Sequence, residues 1–141
     1  MNRQDVVAMF ARRQQAWNRR DAAALAADHT EDGLVDSPLA GGIARGREAI
    51  EKLYATYLSA FGDMTLVQDE LLIDGDRVAL LARVSGTDTG GFMGMPPSGR
   101  QVKFPSVFFF ELHDGRIARE QRIYDFTGVL VQVGLLKAKP V

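Results

Sequence analysis

The feature that most limits how this chain can fold is a change of period at Gly62. Before it, apolar residues recur at helical spacing, and after it they alternate. Helices followed by a run of long strands make an α+β pattern, in which the sheet buries one face against the helices. The 141 residues, at about 100–200 per domain, predict one domain spanning 1–141 with enough chain to enclose a core.

Val6, Val7, Phe10, Gln14 and Trp17 predict a first helix, with Arg12, Arg13 and Arg19 outside its apolar stripe. Asp21 suits the N-cap of a short helix from Ala22 to about Asp28. Gly33 to Pro38 reads as a short strand stopped by proline, and Ala40 to Gly46 as a glycine-rich loop. Ile50, Leu53, Tyr54, Tyr57, Leu58 and Phe61 share one face of a third helix, which Gly62 ends. Strands are then predicted over Met64–Ile73 and Arg77–Thr87, joined by the tight turn Asp74-Gly75-Asp76. After a loop from Gly90 to Gly99 come strands Val102–Leu112 and Arg116–Phe126, joined at His113-Asp114-Gly115. The apolar, uncharged tail Val129–Leu136 is expected to fold back over the core or to sit in a partner's interface. A curved antiparallel sheet wrapped on three N-terminal helices would form a cone with an internal pocket at its open end.

Side chains alternate along a strand, so parity assigns faces. Val78, Leu80, Ala82, Val84 and Gly86 form the apolar face of one strand, and the register carries Asp88 inside at the mouth. On the next strand Val102, Phe104, Ser106, Phe108, Phe110 and Leu112 share parity. On the last, Ile117 and Ile123 argue that Ile117, Arg119, Gln121, Ile123 and Asp125 point inward, unless a β-bulge reverses part of the strand.

The absence of cysteine excludes disulfides, thiolate chemistry and cysteine-ligated metals, and two histidines, His29 and His113, exclude a three-histidine site. A net charge of -1 argues against nucleic acid as a partner. No apolar run approaches the roughly 18 residues that span a bilayer, so a soluble, cytoplasmic chain is expected. The chemistry must then come from carboxylates, hydroxyls, arginine or histidine. An aspartate at the mouth of an apolar cone has its charged form disfavoured by burial, and two close together, such as Asp88 and Asp125, would divide into acid and base. The alternatives are that Asp125 ends a strand in solvent and that Asp88 caps the turn at Thr89-Gly90-Gly91. Asp36 could line the mouth, and Arg119 could anchor an anion or neutralise Asp125. Trp17, Tyr54 and Tyr57 read as core, with Trp17 also a wall of the pocket. His29 reads as a helix C-terminal cap and His113 as an exposed turn residue. Gly90-Gly91 and Gly94 make no phosphate loop, since no lysine-serine or lysine-threonine pair follows.

Gly86-Thr87-Asp88-Thr89-Gly90-Gly91-Phe92-Met93-Gly94-Met95-Pro96-Pro97-Ser98-Gly99-Arg100 resembles the Gly-Thr-His-x-Gly-x-Phe-x-Gly-x-Pro-Pro-Thr-Gly-Arg stretch of SnoaL-like polyketide cyclases and their ester-cyclase relatives. Asp114-Gly115-Arg116-Ile117, Tyr124-Asp125 and Gly128 to Gly134 resemble their closing strand and tail, and Trp17, Asp21, Pro38-Leu39 and Gly46 to Ile50 fit the first half. The resemblance implies the NTF2-like (ketosteroid isomerase-like) cone, often dimeric, with no metal or organic cofactor. It also implies that Asp125 is general acid/base for an intramolecular aldol ring closure. Asp88 stands where the motif has histidine, and Asp36 stands where ester-cyclase relatives carry a second one.

The leading expectation is cofactor-independent acid/base chemistry, of cyclase or isomerase type, on a small hydrophobic carbonyl compound. Asp125 moves the proton, Arg119, Gln121 or Asp88 stabilises developing charge, and Phe104, Phe108 and Phe110 line the cone. A second reading is epoxide hydrolysis as in limonene-epoxide hydrolase, with Asp88 and Asp125 bridged by Arg119. Ketosteroid isomerase fits less well, its tyrosine falling near Arg13 and its base on Ser37. The third reading is a non-catalytic hydrophobic ligand-binding module. Arg83, Lys103 and Val107 on the outer sheet face, with the apolar tail, suggest a homodimer.

Overall fold

A computed structural model describes residues 1–40 and 42–137. The first helix, α1, spans Arg3–Asn18 and opens with a capping box, Asn2 accepting from the Asp5 N–H while Asp5 accepts from that of Asn2. Asp21 caps α2, Ala22–Ala27, through the Ala24 N–H. β1, His29–Ser37, runs through a 3-10 turn into β2, Gly42–Arg45, and α3 covers Arg47–Ala60. Then come β3, Thr65–Asp74; β4, Arg77–Thr87; β5, Gln101–His113; β6, Arg116–Tyr124; and a fourth helix, α4, Phe126–Gln132.

The six strands form one unclosed sheet in the order β2-β1-β6-β5-β4-β3. β3 to β6 make the expected antiparallel meander, whereas β1 lies parallel to β6, so the sheet is mixed. The helices cover its inner face. Phe10 of α1 meets Phe110 of β5 edge-on at 4.9 Å, and Leu25, Val35, Ile50, Tyr54 and Val78 are fully enclosed. Burial of this apolar surface is the main favourable contribution to the fold.

Several expectations are corrected. On α1 Val7 is exposed and Arg13 is buried, because Asp28 and Glu120 compensate its charge from other elements. β1 starts four residues early, at His29, and the glycine-rich stretch pairs with it as β2; Gly41 lies outside the described residues. β6 stops at Tyr124, whereas the apolar tail, entered through α4, folds back over the core as the first of its two expected placements and buries Val129 and Val133.

The inner faces of β4 and β5 are those expected from parity. β6 is not. Glu111 pairs with Arg119 but Leu112 pairs with Ile117, so Ala118 is an extra residue. The bulge turns Ile117 inward and then, beyond Ala118, reverses the parity, turning Glu120 and Arg122 inward while Arg119 and Ile123 face out.

Candidate functional site

The bulge puts an ion pair on the inner wall of the cone. Arg122 Nε donates to Glu120 Oε2 at 2.7 Å, and both side chains are buried. The other carboxylate oxygen, Oε1, accepts from the Tyr54 hydroxyl at 2.6 Å and faces His29 Nε2 at 3.1 Å. Tyr54 accepts in turn from Arg13 Nη2 at 2.7 Å, and Arg13 Nη1 reaches the Leu25 carbonyl and Asp28. His29 Nδ1 lies 3.1 Å and 3.2 Å from the carbonyls of Leu25 and Ala26, which only accept, so this nitrogen carries a hydrogen and donates to both. The expected contact with the C-terminal end of α2 is therefore present, made from the first residue of β1.

Burial alone would raise the Glu120 carboxyl; the Arg122 charge, the His29 contact and Arg13 outweigh it and hold the group well below the usual carboxylate range. Burial works against the Arg122 cation too, and the Glu120 charge overcomes it, leaving the guanidinium raised. Burial pushes the Tyr54 and Tyr57 phenols up to about 12, so both are neutral hydroxyls at pH 7.

Arg122 lies 4.6 Å from the Tyr54 ring centre and 5.7 Å from that of Phe108, within cation–π range. Its Nη2 has no hydrogen-bond partner, nor have the buried oxygens of Ser37, Tyr57, Ser106 and Tyr124. Ser37 lies near enough to Tyr57 to oppose the rise of its phenol, though outside hydrogen-bonding geometry. Tyr57, Ser106, Arg122 and Tyr124 surround one small space, with Trp17, Phe104 and Phe108 among its apolar walls. The space measures about 20 Å³, room for one water molecule. Ligand-sized cavities are roughly 300–1,000 Å³, so the expected pocket is shut here.

Aromatic rings pack beside it, Tyr57 and Tyr124 lining it directly. Tyr57, Phe92, Phe126 and Tyr124 form a circuit whose successive ring centres are 6.3, 6.3, 6.2 and 6.4 Å apart. Phe92 comes from the loop between β4 and β5 and is almost fully buried. The loop is pinned at its base, where a Cβ on Gly90 would lie 1.9 Å from the Ser59 carbonyl oxygen.

The residues expected at the site are distributed differently. Trp17, Phe104 and Phe108 line the space, and Phe110 lies on the same strand face against Phe10. Asp88 is buried as expected, but its carboxylate turns into its own loop, accepting from the Gly91 N–H, the Ser98 N–H and the Ser98 hydroxyl. Asp125 is exposed and caps α4 by accepting from the Gly128 N–H at 2.8 Å. Arg119 is exposed and Gln121 half-buried on the outer face, where Gln121 pairs with a half-buried Asp36; Ser37, the next residue, is the one that turns inward. Among the described residues Arg119 forms no ion pair, so the Asp88–Arg119–Asp125 bridge of an epoxide hydrolase is not assembled. Parity across an unseen bulge misplaced the last strand, and a lone arginine in a helix gave no sign of its burial. Among the described residues no three histidine, aspartate or glutamate side chains converge as a metal ion would require.

The SnoaL-like polyketide cyclase family matches residues 8–133. Among solved structures, TsrD from Streptomyces laurentii is 25% identical with a TM-score of 0.84, the match covering 96% of this chain and 99% of that one. IdmH from Streptomyces antibioticus, described as a candidate polyketide cyclase, is 29% identical with a TM-score of 0.70, covering 85% and 91%. A protein from Catenulispora acidiphila described as having a ketosteroid isomerase-like fold is 21% identical with a TM-score of 0.75, covering 99% and 100%. Comparison with curated proteins gives no match. No helix among the described residues is long and apolar enough to cross a membrane. The sheet order, the helices on its inner face and the match over most of the length agree: the chain belongs to the SnoaL-like polyketide cyclase family.

Proposed function

We propose that this protein catalyses a cyclase-type reaction on a small hydrophobic carbonyl compound bound inside the cone, without a cofactor. One observation carries the proposal: a guanidinium N–H₂ and buried hydroxyls stand unpartnered around a single space with apolar walls. Hydrogen-bond donors held in a dry site stabilise negative charge as it develops on an oxygen, usually the largest single contribution to catalysis.

In this reading an enolisable 1,3-dicarbonyl chain enters with one carbonyl oxygen toward Tyr57 and Arg122. The α-carbon loses its proton to water at the mouth or to Asp125, which keeps the role that the family resemblance implies for it. The electron pair moves onto the oxygen, and the enolate accepts from Tyr57 and Arg122. Its carbon attacks a second carbonyl carbon of the same molecule. A carbon–carbon bond forms, the carbonyl π bond opens, and the new alkoxide takes up a proton, so the product is an isomer of the substrate.

The test is proton exchange at the central carbon of 1-phenyl-1,3-butanedione in D₂O, followed by NMR. Exchange faster than buffer alone, lowered about 10²–10³-fold by Tyr57→Phe, is the expected result. No acceleration by the wild type overturns the proposal. A second reading, ligand binding without turnover, is favoured by the fact that neither Asp88 nor Asp125 turns a free carboxylate into the cone. Binding of the diketone without exchange decides for it. The homodimer remains part of the proposal, with a second copy covering the outer sheet face.

A further inference from the structure

The unpartnered polar atoms of the cone share one chemical property: every one can donate a hydrogen bond, and none is an obligatory acceptor. Ser37, Tyr57, Ser106 and Tyr124 contribute hydroxyls, while Arg122 Nη2 can only donate. Tyr57, Ser106, Arg122 and Tyr124 border the space itself. No free carboxylate or other obligatory acceptor is among these unpartnered atoms.

The charge count points the same way. Two guanidinium groups, Arg13 and Arg122, share one buried carboxylate, Glu120, because the other buried carboxylate, Asp88, turns into its own loop. Glu120 is divided among Arg122 Nε at 2.7 Å, the Tyr54 hydroxyl at 2.6 Å, His29 Nε2 at 3.1 Å and Arg13 Nη2 at 3.7 Å. Asp28 balances Arg13 from the edge of the core and is shared with the exposed Arg12. Arg122 is thus held on one side by an overcommitted partner and presents its other side to the space. A buried cation serving only to hold the fold has its hydrogen-bonding groups satisfied. Here Nε serves the fold, and Nη2 remains for something else.

We propose that this space is an oxyanion subsite, taking a flat apolar ligand by its carboxylate, with Arg122 Nη2 as counter-ion and the Tyr57, Tyr124 and Ser106 hydroxyls as further donors. The proposal rests on the cone interior being the ligand site, as above, and adds the charge of the ligand. Two carboxylate oxygens match a guanidinium edge and the hydroxyls beside it. The walls of Trp17, Met64, Leu66, Val84, Phe104 and Phe108 suit an aromatic or polyene body. The space as it stands has room for one water molecule, so a charged and a neutral ligand alike enter only as its walls part, and a comparison of the two isolates the charge.

The probes are 2-naphthoate and its neutral isostere 2-naphthamide, titrated calorimetrically into the intact protein at pH 7. Naphthoate is expected to bind at least about tenfold more tightly, the range for a hydrogen bond to a charged group. Arg122→Met should abolish the preference and keep binding of the amide. Equal affinities, a preference that survives in Arg122→Met, or binding of neither probe overturns the proposal. If Arg122→Met does not fold, the double variant Glu120→Gln/Arg122→Met removes both members of the pair. Tyr57→Phe, which keeps the ring, should weaken naphthoate several-fold more than naphthamide; equal weakening counts against the subsite. Circular dichroism melting checks each fold. The two proposals fail separately. Diketone exchange without carboxylate preference sinks only the subsite, and carboxylate preference without exchange sinks only the catalytic reading.

Discussion

Arg122 Nε and Glu120 Oε2 meet at 2.7 Å from the same face of one strand, two residues apart and closed off from solvent. The contact fixes the guanidinium while leaving Nη2 directed elsewhere. It also makes the stability of the fold sensitive to acid. Glu120 is held well below its ordinary value of 4.5, so below that pH the unfolded chain binds a proton there that the folded chain refuses. Its contribution is fully present above that value and is lost as the pH falls below it. Glu120→Gln should lower stability at pH 7 by about 3 kcal/mol, since it leaves Arg122 and Arg13 undercompensated. The gap between wild type and variant in urea melts should narrow from about pH 5 downward; a gap constant through that range contradicts the assignment.

Asp88 anchors a loop, and its replacement tests whether it does anything more. Asp88→Asn keeps the shape and turns one of the two acceptor oxygens, Oδ1 serving Gly91 and Oδ2 serving Ser98, into a donor. We expect a loss of about 1–3 kcal/mol and faster hydrogen exchange at the Gly91 and Ser98 amides. Diketone exchange should stay within about threefold of wild type; a drop of about 100-fold with the fold intact would put Asp88 in the chemistry.

Asp125 offers a sharper separation of roles. Asparagine caps helices as well as aspartate does, so Asp125→Asn should change the thermal midpoint little, whereas Asp125→Ala should cost about 1 kcal/mol. If Asp125 also takes the α-proton, both variants lower diketone exchange about 10²–10⁴-fold. Unchanged exchange in Asp125→Asn assigns that proton to water.

Phe92 closes the aromatic circuit, and Phe92→Ala should open it at a cost of about 3–5 kcal/mol. Trp17, the only tryptophan of the chain, borders the space and reports the opening. Acrylamide should quench its fluorescence several-fold more efficiently in the variant, and unchanged quenching would mean that another segment seals the cone.

A second copy on the outer face is tested at Ile123. Ile123 on β6, Val107 on β5 and Leu81 on β4 are cross-strand neighbours, all exposed. Sedimentation at micromolar protein should give a dimer for wild type and a monomer for Ile123→Lys, because a lysine placed in an apolar contact loses its hydration. A monomeric wild type removes the homodimer from the proposal.

The inner faces of β4 and β5 were legible because their hairpin register is unbroken and every inward residue but Ser106 and Asp88 is apolar or glycine. β6 offered no such contrast. Its two parities carry nearly equal polarity, and the local spacing around Ala118 is ordinary, so only pairing with β5 exposes the extra residue. Arg13 was illegible for a related reason: its partners Asp28 and Glu120 come from a helix end and a distant strand. The start of β1 was hidden by Thr30, Glu31 and Asp32, whose polarity suits a strand only where its outer face meets solvent. The helix that follows β6 does carry a local signal. Asp125 stands directly before an apolar run, an arrangement that marks an N-cap and foretells α4.

Ala118 acts as a frameshift written in space rather than in codons. Downstream of it the same letters are read from the opposite side, so the interior receives glutamate, arginine and tyrosine in place of arginine, glutamine and isoleucine. Excising that one alanine would leave Ile117 opposite Leu112 and Arg119 opposite Glu111 in unbroken alternation, so Glu120, Arg122 and Tyr124 would keep the interior. What the extra residue does is let one strand bring side chains of both parities, Ile117 before it and Glu120 after it, to a single face.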